Sequence, residues 1–568
     1  MPGHSGGVHT CGFSIILDPD FRNAKCIVVW GLGVDTSFRA IFRKPILEAL
    51  SEGAKLIVID PVKTPLAERA DIWMQIRPAT DCALALGMLH VIINEDLYSR
   101  DFVEDWTVGF DELKKHVQEY SPREVAEITW VPEEKIVDAA RMYAKNSPAC
   151  IGTGVGGLCQ NVNVFQANRA IAILASITNN LDVPGGQVNH PLVLREKSSM
   201  SAQYDAPFGD LTQEQIQKRL SIGNVVKYDG FQNAHPGSVW PAIREGKPYP
   251  VKAMLGIATN SVITKENSKH VRDTLTKLDF FVVSDLFMTP TAEIADIVLP
   301  VAHWSERDEV IDAYTKNYIF CHRKIVDPPG ECWEDKEILI ALAKKMGMEG
   351  YFTSVEECLN DRLRRVKITF EEFREKGMIE SPIAYKKHEK FGVFKTMTKK
   401  VELYSEALKE IGSDPLPVFR EPPESPVGNP EIAKKYPLIL ITGIKTLNYF
   451  HSSFRNVASL RKLMPDPLLE IHLDTAKERG IRDGDWVKIE TLRGSIKHRA
   501  KLSERVDQRV VAAPHGWWYG YRDGWKEVNI NVLTEGRIHD PDMGSGVLKG
   551  LLCQVSKADS PPVEIAAP

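Results

Sequence analysis

Two aspartates stand at matching places in two similar stretches of the chain. Asp60 opens DPVKTPLAERADI and Asp285 opens DLFMTPTAEIADI. Asp60, Thr64, Pro65, Ala67, Glu68, Ala70, Asp71 and Ile72 recur as Asp285, Thr289, Pro290, Ala292, Glu293, Ala295, Asp296 and Ile297, each 225 positions on. Eight identities within thirteen residues mark an internal duplication, and the same offset carries Gly31 onto Gly256. Each aspartate follows an apolar run, Leu56–Ile59 or Phe280–Val283. A carboxylate at the end of such a strand is placed to accept hydrogen bonds from ribose hydroxyls or a purine edge. In the first copy the preceding strand runs into Gly31-Leu32-Gly33, where the missing side chains let backbone N–H groups approach a phosphate. Two copies predict two nucleotide tails.

The elements that position these groups follow from the same stretches. Cys26–Trp30 reads as a buried parallel strand, a helix follows with Pro45 in its first turn and Gly53 past its end, and Lys55–Ile59 is the next strand. That is a βαβ unit, repeated from Val251 onward. Gly152-Thr153-Gly154-Val155-Gly156-Gly157 follows an apolar element and reads equally as a ligand cradle or a plain turn. Past Leu438 the pattern becomes all-β, with short alternating runs and turns at Asp483-Gly484 and Arg493-Gly494. The expected fold class is therefore α/β, with internally duplicated parallel-sheet nucleotide-binding units followed by a C-terminal β-barrel. The expected divisions are 1–195 for the first unit, 196–250 for a loop-rich insertion and 251–350 for the second unit. Residues 351–435 form a helical region that ends in the proline-dense linker DPLPVFREPPESPVGNP, and 436–568 form the barrel.

Composition narrows the function classes. The 568 residues are 43% hydrophobic and 26% charged, with a formal net charge of −5, so no basic surplus asks for nucleic acid. No apolar run approaches the ~20 residues of a membrane span. Nine cysteines lie scattered without a C-x-x-C pair, which predicts buried thiols in a reducing, cytoplasmic compartment rather than disulfides or a metal ligand set. Glu306 and Asp308 read as a solvated turn. Against a nicotinamide fingerprint, the first turn lacks its third glycine and Asp60 comes 29 positions after Gly31 instead of about 20.

Taken together, IVIDPVKTPLAERADIWMQIRPATDCALALGM, FMTPTAEIADIVLP, ERGIRDGDWVKIETLRGSI and PHGWW resemble the dimethyl sulfoxide reductase superfamily of molybdopterin enzymes, nearest its acetylene hydratase and formate dehydrogenase branches. The resemblance implies two molybdopterin guanine dinucleotides holding one molybdenum or tungsten ion, related by pseudo-twofold symmetry. It assigns Gly31, Gly33, Asp60, Thr64, Pro78, Thr80 and Asp81 to the first nucleotide site, and Gly256, Asn260, Asp285 and Thr289 to the second. In the barrel it assigns Thr442, Gly443, Lys445, His515, Gly516, Trp517, Asn531 and Thr534 to pterin contacts. No residue of this chain matches the family's protein ligand to the metal, and since the pterins supply the sulfurs, soft ligation does not need this chain's cysteines.

The resemblance also implies a 4Fe–4S segment and a Cys, Ser, Asp or selenocysteine metal ligand upstream of Met1. A truncated product, inactive alone, is expected, with a split enzyme as the other reading. His4 and His9 then lie beside the absent ligand and are the expected proton-transfer residues, since imidazole titrates near neutrality. An export signal would sit on that same upstream segment, which leaves a periplasmic location open. The implied partners are a small-molecule substrate and an iron–sulfur electron-transfer subunit or domain. The implied activity is two-electron redox or oxygen-atom transfer, with a tungsten hydratase or a non-catalytic relative as alternatives.

Overall fold

The computed structural model describes residues 2–13, 19–35, 41–190, 193–194, 212, 214–215, 218–220, 234–312, 317–348, 352–444, 446–518 and 522–562. The first unit is built on Cys26–Trp30 (β1), five consecutive buried residues with no polar alternation, as a central parallel strand requires. Lys55–Ile59 (β2), Ile72–Met74 (β3) and Ala149–Thr153 (β4) complete a parallel sheet in the order β3-β2-β1-β4. Val28 lies opposite Ile57 on one side and Ile151 on the other.

Helices cover both faces of that sheet. Pro2–Cys11 (α1) packs on the wholly buried helix Val164–Ile177, and Arg43–Ser51 (α2) ends in a turn where Gly53 takes φ +97°. Asp81–Asn94 (α3) and Glu133–Lys145 (α4) share one core with the β1 side chains Cys26, Val28 and Trp30, and Val164–Ile177 (α5) joins them there. The opposite face, with Ile27, Val29, Leu56 and Val58, packs with α2 residues Ile46 and Ala49.

The second unit repeats the arrangement in shorter form. Ala253–Ile257 (β5), Phe280–Asp285 (β6) and Ile297–Pro300 (β7) form a three-stranded parallel sheet, with Ser268–Leu275 (α6) against Phe281 and Val283. The repeat extends to single hydrogen bonds. Asp71 Oδ2 accepts from Leu56 N at 2.9 Å, and Asp296 Oδ2 accepts from Phe281 N at 2.7 Å. The strand register corrects one expectation. Cys26 pairs with Lys55, but Ala253 pairs with Phe280, so β1 maps onto β5 with an offset of 227 rather than 225. Gly256 is therefore a residue inside β5, opposite Val283. The counterpart of Gly31 is Ala258: the two have φ +56° and +48°, and their N–H groups donate to Ile59 O and Ser284 O.

Beyond the second sheet, Glu309–Asp312, Tyr318–His322 and Met378–Glu380 make an antiparallel sheet, next to helices that include Asp335–Lys345 (α7) and Phe370–Lys376. The last part is a closed barrel of Leu438–Ile444 (β8), Leu468–Ile471 (β9), Trp486–Thr491 (β10), Gly494–Leu502 (β11), Val510–Pro514 (β12) and Lys549–Lys557 (β13), in the order β8-β12-β9-β11-β10-β13. Closure leaves no exposed sheet edge. Among the described residues no helix is long and apolar enough to cross a membrane. No disulfide joins the nine cysteines, and burial pushes the Cys11 and Cys26 thiols up to about 12.

Candidate functional site

A cavity of about 450 Å³ lies where the carboxyl ends of β1, β2 and β4 meet the barrel. Open α/β sheets take their ligands at such strand ends. Its walls are the turn Gly31–Asp35, the end of β2 with Asp60, the segment Ile76–Asp81, the glycine turn after β4, and the ends of β8 and β12. Three glycines make this junction possible. A Cβ on Gly154 would stand 1.8 Å from Gly31 O, and one on Gly157 would stand 2.5 Å from the same oxygen, so the two turns cross backbone on backbone. Gly156 has no atom within 4 Å of its Cβ position and opens onto the cavity. The glycine turn that was ambiguous in sequence is thus a wall of the site.

The floor carries two carboxyls, Asp60 half-buried and Asp81 buried. Asp60 Oδ1 accepts from Val62 N at 2.9 Å, and Asp81 Oδ1 accepts from Trp30 Nε1 at 2.8 Å. Burial drives both carboxyls up to about 6. Lys549 and Arg505 oppose that shift at Asp60, and both line the same cavity. Lys549 Nζ donates to Thr442 O at 2.7 Å, and Arg505 Nε donates to Lys63 O at 2.7 Å. Lys501 and Glu470 also line it, paired at 3.2 Å. None of these four barrel residues was visible as a site residue in the sequence. They come from separate barrel segments, and only the docking of the barrel on the first unit brings them to Asp60.

Of the residues expected at the first nucleotide, Gly31, Gly33, Asp60, Thr64, Pro78 and Asp81 line the cavity, as does Gly443 from the barrel. Thr80 is buried just behind it and donates to Arg77 O at 2.7 Å, while Ala79 takes φ +70° in the wall. Thr442 sits behind Gly443, its hydroxyl on Leu548 O. Lys445 lies outside the described residues.

The second-unit residues form a separate constellation. Thr289 Oγ1 donates to Asp285 Oδ2 at 3.2 Å, and burial raises the Asp285 carboxyl. Thr291 Oγ1 donates to Asn260 Oδ1 at 2.9 Å, which leaves the buried Asn260 Nδ2 with no hydrogen-bond partner. Gly256 is not with them at the strand end. Asn531 and Thr534 tie the barrel to this unit: Asn531 Nδ2 donates to Ile263 O at 2.8 Å and Asn267 N donates to Thr534 Oγ1 at 3.2 Å. His515, Gly516 and Trp517 form a third group. His515 Nε2 lies 2.7 Å from His451 Nδ1, and the buried Arg455 guanidinium stacks 4.1 Å from the Trp517 ring and donates to Gly516 O.

His9 is on α1, edge-on to Phe165 at 5.7 Å, and burial together with Arg169 lowers it to about 4. It is therefore neutral near pH 7 and does not line the cavity. His4 is on the same helix. Glu306 Oε2 accepts from His303 N at 2.8 Å, a turn contact. Among the described residues no group of three His, Cys, Asp or Glu side chains is placed to hold a metal ion.

Comparison with known proteins decides the family. Residues 4–345 match the molybdopterin oxidoreductase model, and residues 438–551 match the molydopterin dinucleotide binding domain. The chain belongs to the molybdopterin oxidoreductase family. It is 34% identical to acetylene hydratase of Syntrophotalea acetylenica over 96% of this chain and 79% of that protein. It is 32% identical to a formate dehydrogenase subunit alpha of Methanocaldococcus jannaschii, over 91% and 74%. Dimethyl sulfoxide reductase DmsA of Escherichia coli is 30% identical over 91% and 70%. The solved structure of acetylene hydratase from Pelobacter acetylenicus superposes with a TM-score of 0.88 at 32% identity, covering 98% of this chain and 81% of that one.

Membership gives the molybdopterin-binding barrel and the α/β fold that the sequence led us to expect. The expectation that the chain is inactive alone finds no support in these matches. The residues present fit a dinucleotide of this family. The first site offers exposed turn backbone at Gly156, a half-buried carboxylate at Asp60 and cations at Lys549 and Arg505, and the second offers an unpartnered amide at Asn260 beside Asp285.

Proposed function

We propose that this chain is the catalytic polypeptide of a molybdenum or tungsten bis-pterin enzyme that carries out two-electron redox or oxygen-atom transfer on a small substrate. The duplicated strand-end site supports this reading: Asp60 and Asp285 each close a parallel strand, share their hydrogen-bond pattern, and lie in units bridged by one barrel. When bound, the metal–pterin group supplies the electron-pair chemistry and the soft metal ligation. The chain's own residues bind and orient it. Asp60 accepts hydrogen bonds from one nucleoside, Gly156 and its neighbours admit phosphate to the backbone, and Lys549 and Arg505 offset the phosphate charge. Asp285 and Asn260 do the equivalent work for the second tail. The buried walls around Asp81 and Trp30 keep water from the first. An iron–sulfur electron-transfer subunit or domain is the expected redox partner.

A second reading is a hydratase, in which water adds to substrate with no net redox change. Its support is the likeness to acetylene hydratase in both sequence and fold. Anaerobic assays of the metal-loaded full chain with small substrates separate the two. Turnover that requires a redox dye supports the first reading, and dye-independent hydration supports the second. Metal-loaded protein that shows neither contradicts both.

A further inference from the structure

Residues 386–400 depart from the charge of the rest of the molecule. They hold six lysines and one glutamate, in a chain of net charge −5. Two of the lysines are paired: Lys387 Nζ lies 2.5 Å from Asp182 Oδ1 and Lys386 Nζ lies 2.8 Å from Glu389 Oε1. Lys390, Lys395 and Lys399 are exposed and Lys400 is half-buried, and among the described residues none of these four forms an ion pair. The same segment holds large apolar side chains in solvent. Phe391 is 65% exposed, Val393 38% and Met397 83%. Along the chain they alternate with the unpaired lysines, as Lys390, Phe391, Val393, Lys395, Met397 and Lys399.

The supports of these side chains are fixed. Phe391 ends the short helix Lys387–Phe391, and Met397 lies in a turn closed by Phe394 N donating to Lys399 O at 2.8 Å. The buried rings of His388 and Phe394 stack at 4.7 Å and 14°, and both meet Trp106 edge-on, at 4.9 and 6.0 Å. One aromatic peg therefore holds the helix and the turn side by side. Val401–Glu402 then pairs with Thr107–Val108, and the Lys395 backbone passes so close to Gly12 that a Cβ there would stand 2.7 Å from it. Burying Phe391 and Met397 in a partner thus requires no ordering of their backbone, which lowers the cost of association.

We propose that residues 386–400 dock the protein peripherally on an anionic lipid bilayer, with Phe391 and Met397 entering the headgroup layer and Lys390, Lys395, Lys399 and Lys400 meeting lipid phosphates. Exposed apolar side chains set among lysines suit an interface that is charged at its surface and apolar just beneath. The lysine stems lie along the apolar layer while their ammonium groups stay with the phosphates. An acidic protein face offers the charge, but its fixed surface must be hollowed to take two apolar tips, whereas a fluid headgroup layer yields around them.

The test is flotation of the full chain with phosphatidylcholine vesicles, with and without roughly 30% phosphatidylglycerol. At low salt the anionic vesicles are expected to bind at least roughly tenfold more tightly, with the difference shrinking as salt rises. Lys390→Glu combined with Lys395→Glu is expected to lower that binding roughly tenfold or more, and Phe391→Ser combined with Met397→Ser to lower it at least roughly threefold. Lys345→Glu combined with Met346→Ser, an exposed pair at the end of α7, is expected to leave it unchanged. All these positions but the control pair lie in the segment, all are exposed, and the comparison of the two vesicle types needs no variant. Equal binding to both vesicles, or none, overturns the proposal. So does binding that follows the lysines but ignores Phe391 and Met397, and is matched by soluble polyglutamate; that result assigns the segment to an acidic protein surface instead.

Discussion

In the proposed function Asp60 binds ligand, and it does so at a cost to the empty protein. Its carboxyl, like that of Asp81, is raised to about 6 from 3.8 by burial, so the folded chain holds these protons more tightly than the unfolded one. The stability they contribute is full below about pH 4 and is lost as pH rises through about 6. Asp60→Asn is therefore expected to stabilise the ligand-free chain by up to ~3 kcal/mol at pH 7 and by almost nothing at pH 4, read by urea unfolding at both values. The same substitution is expected to remove one of two bound guanine nucleotides, and Asp285→Asn the other, measured as GMP released by acid. The glycines give a cleaner steric pair. Gly154→Ala places a methyl 1.8 Å from Gly31 O and is expected to cost several kcal/mol or abolish soluble expression. Gly156→Ala, with open space around it, is expected to leave folding intact and weaken only cofactor retention.

Local runs and turns were readable as elements, and what joins distant elements was not. Cys26–Trp30, Lys55–Ile59 and the barrel strands announce themselves because parallel strands are continuously apolar and hairpins alternate. The fixed 225-residue offset misplaced Gly256 because the connection from β5 to β6 is two residues shorter than that from β1 to β2, a difference that only strand pairing reveals. The proline-dense stretch read as an extended linker. In the structure it is clamped to the first unit, where Arg77 donates both terminal nitrogens to Glu421 at 2.8 Å and Asn163 exchanges hydrogen bonds with the Arg420 backbone. Arg77 is only 2% exposed. Removing its partner by Glu421→Ala leaves a buried cation uncompensated and is expected to cost about 3 kcal/mol in denaturant unfolding.

At the scale of the whole molecule, one barrel touches two related units. It closes the first cavity with Lys549, Arg505 and Gly443, and it reaches the second unit through Asn531 and Thr534. On the proposed function a chain so arranged holds two like ligands in one assembly, and the two-for-one stoichiometry is the core of that reading. The direct test is to hydrolyse the metal-loaded protein in acid and measure GMP against molybdenum plus tungsten. The account predicts two GMP per metal atom. One GMP per metal, or metal with no nucleotide, would contradict it.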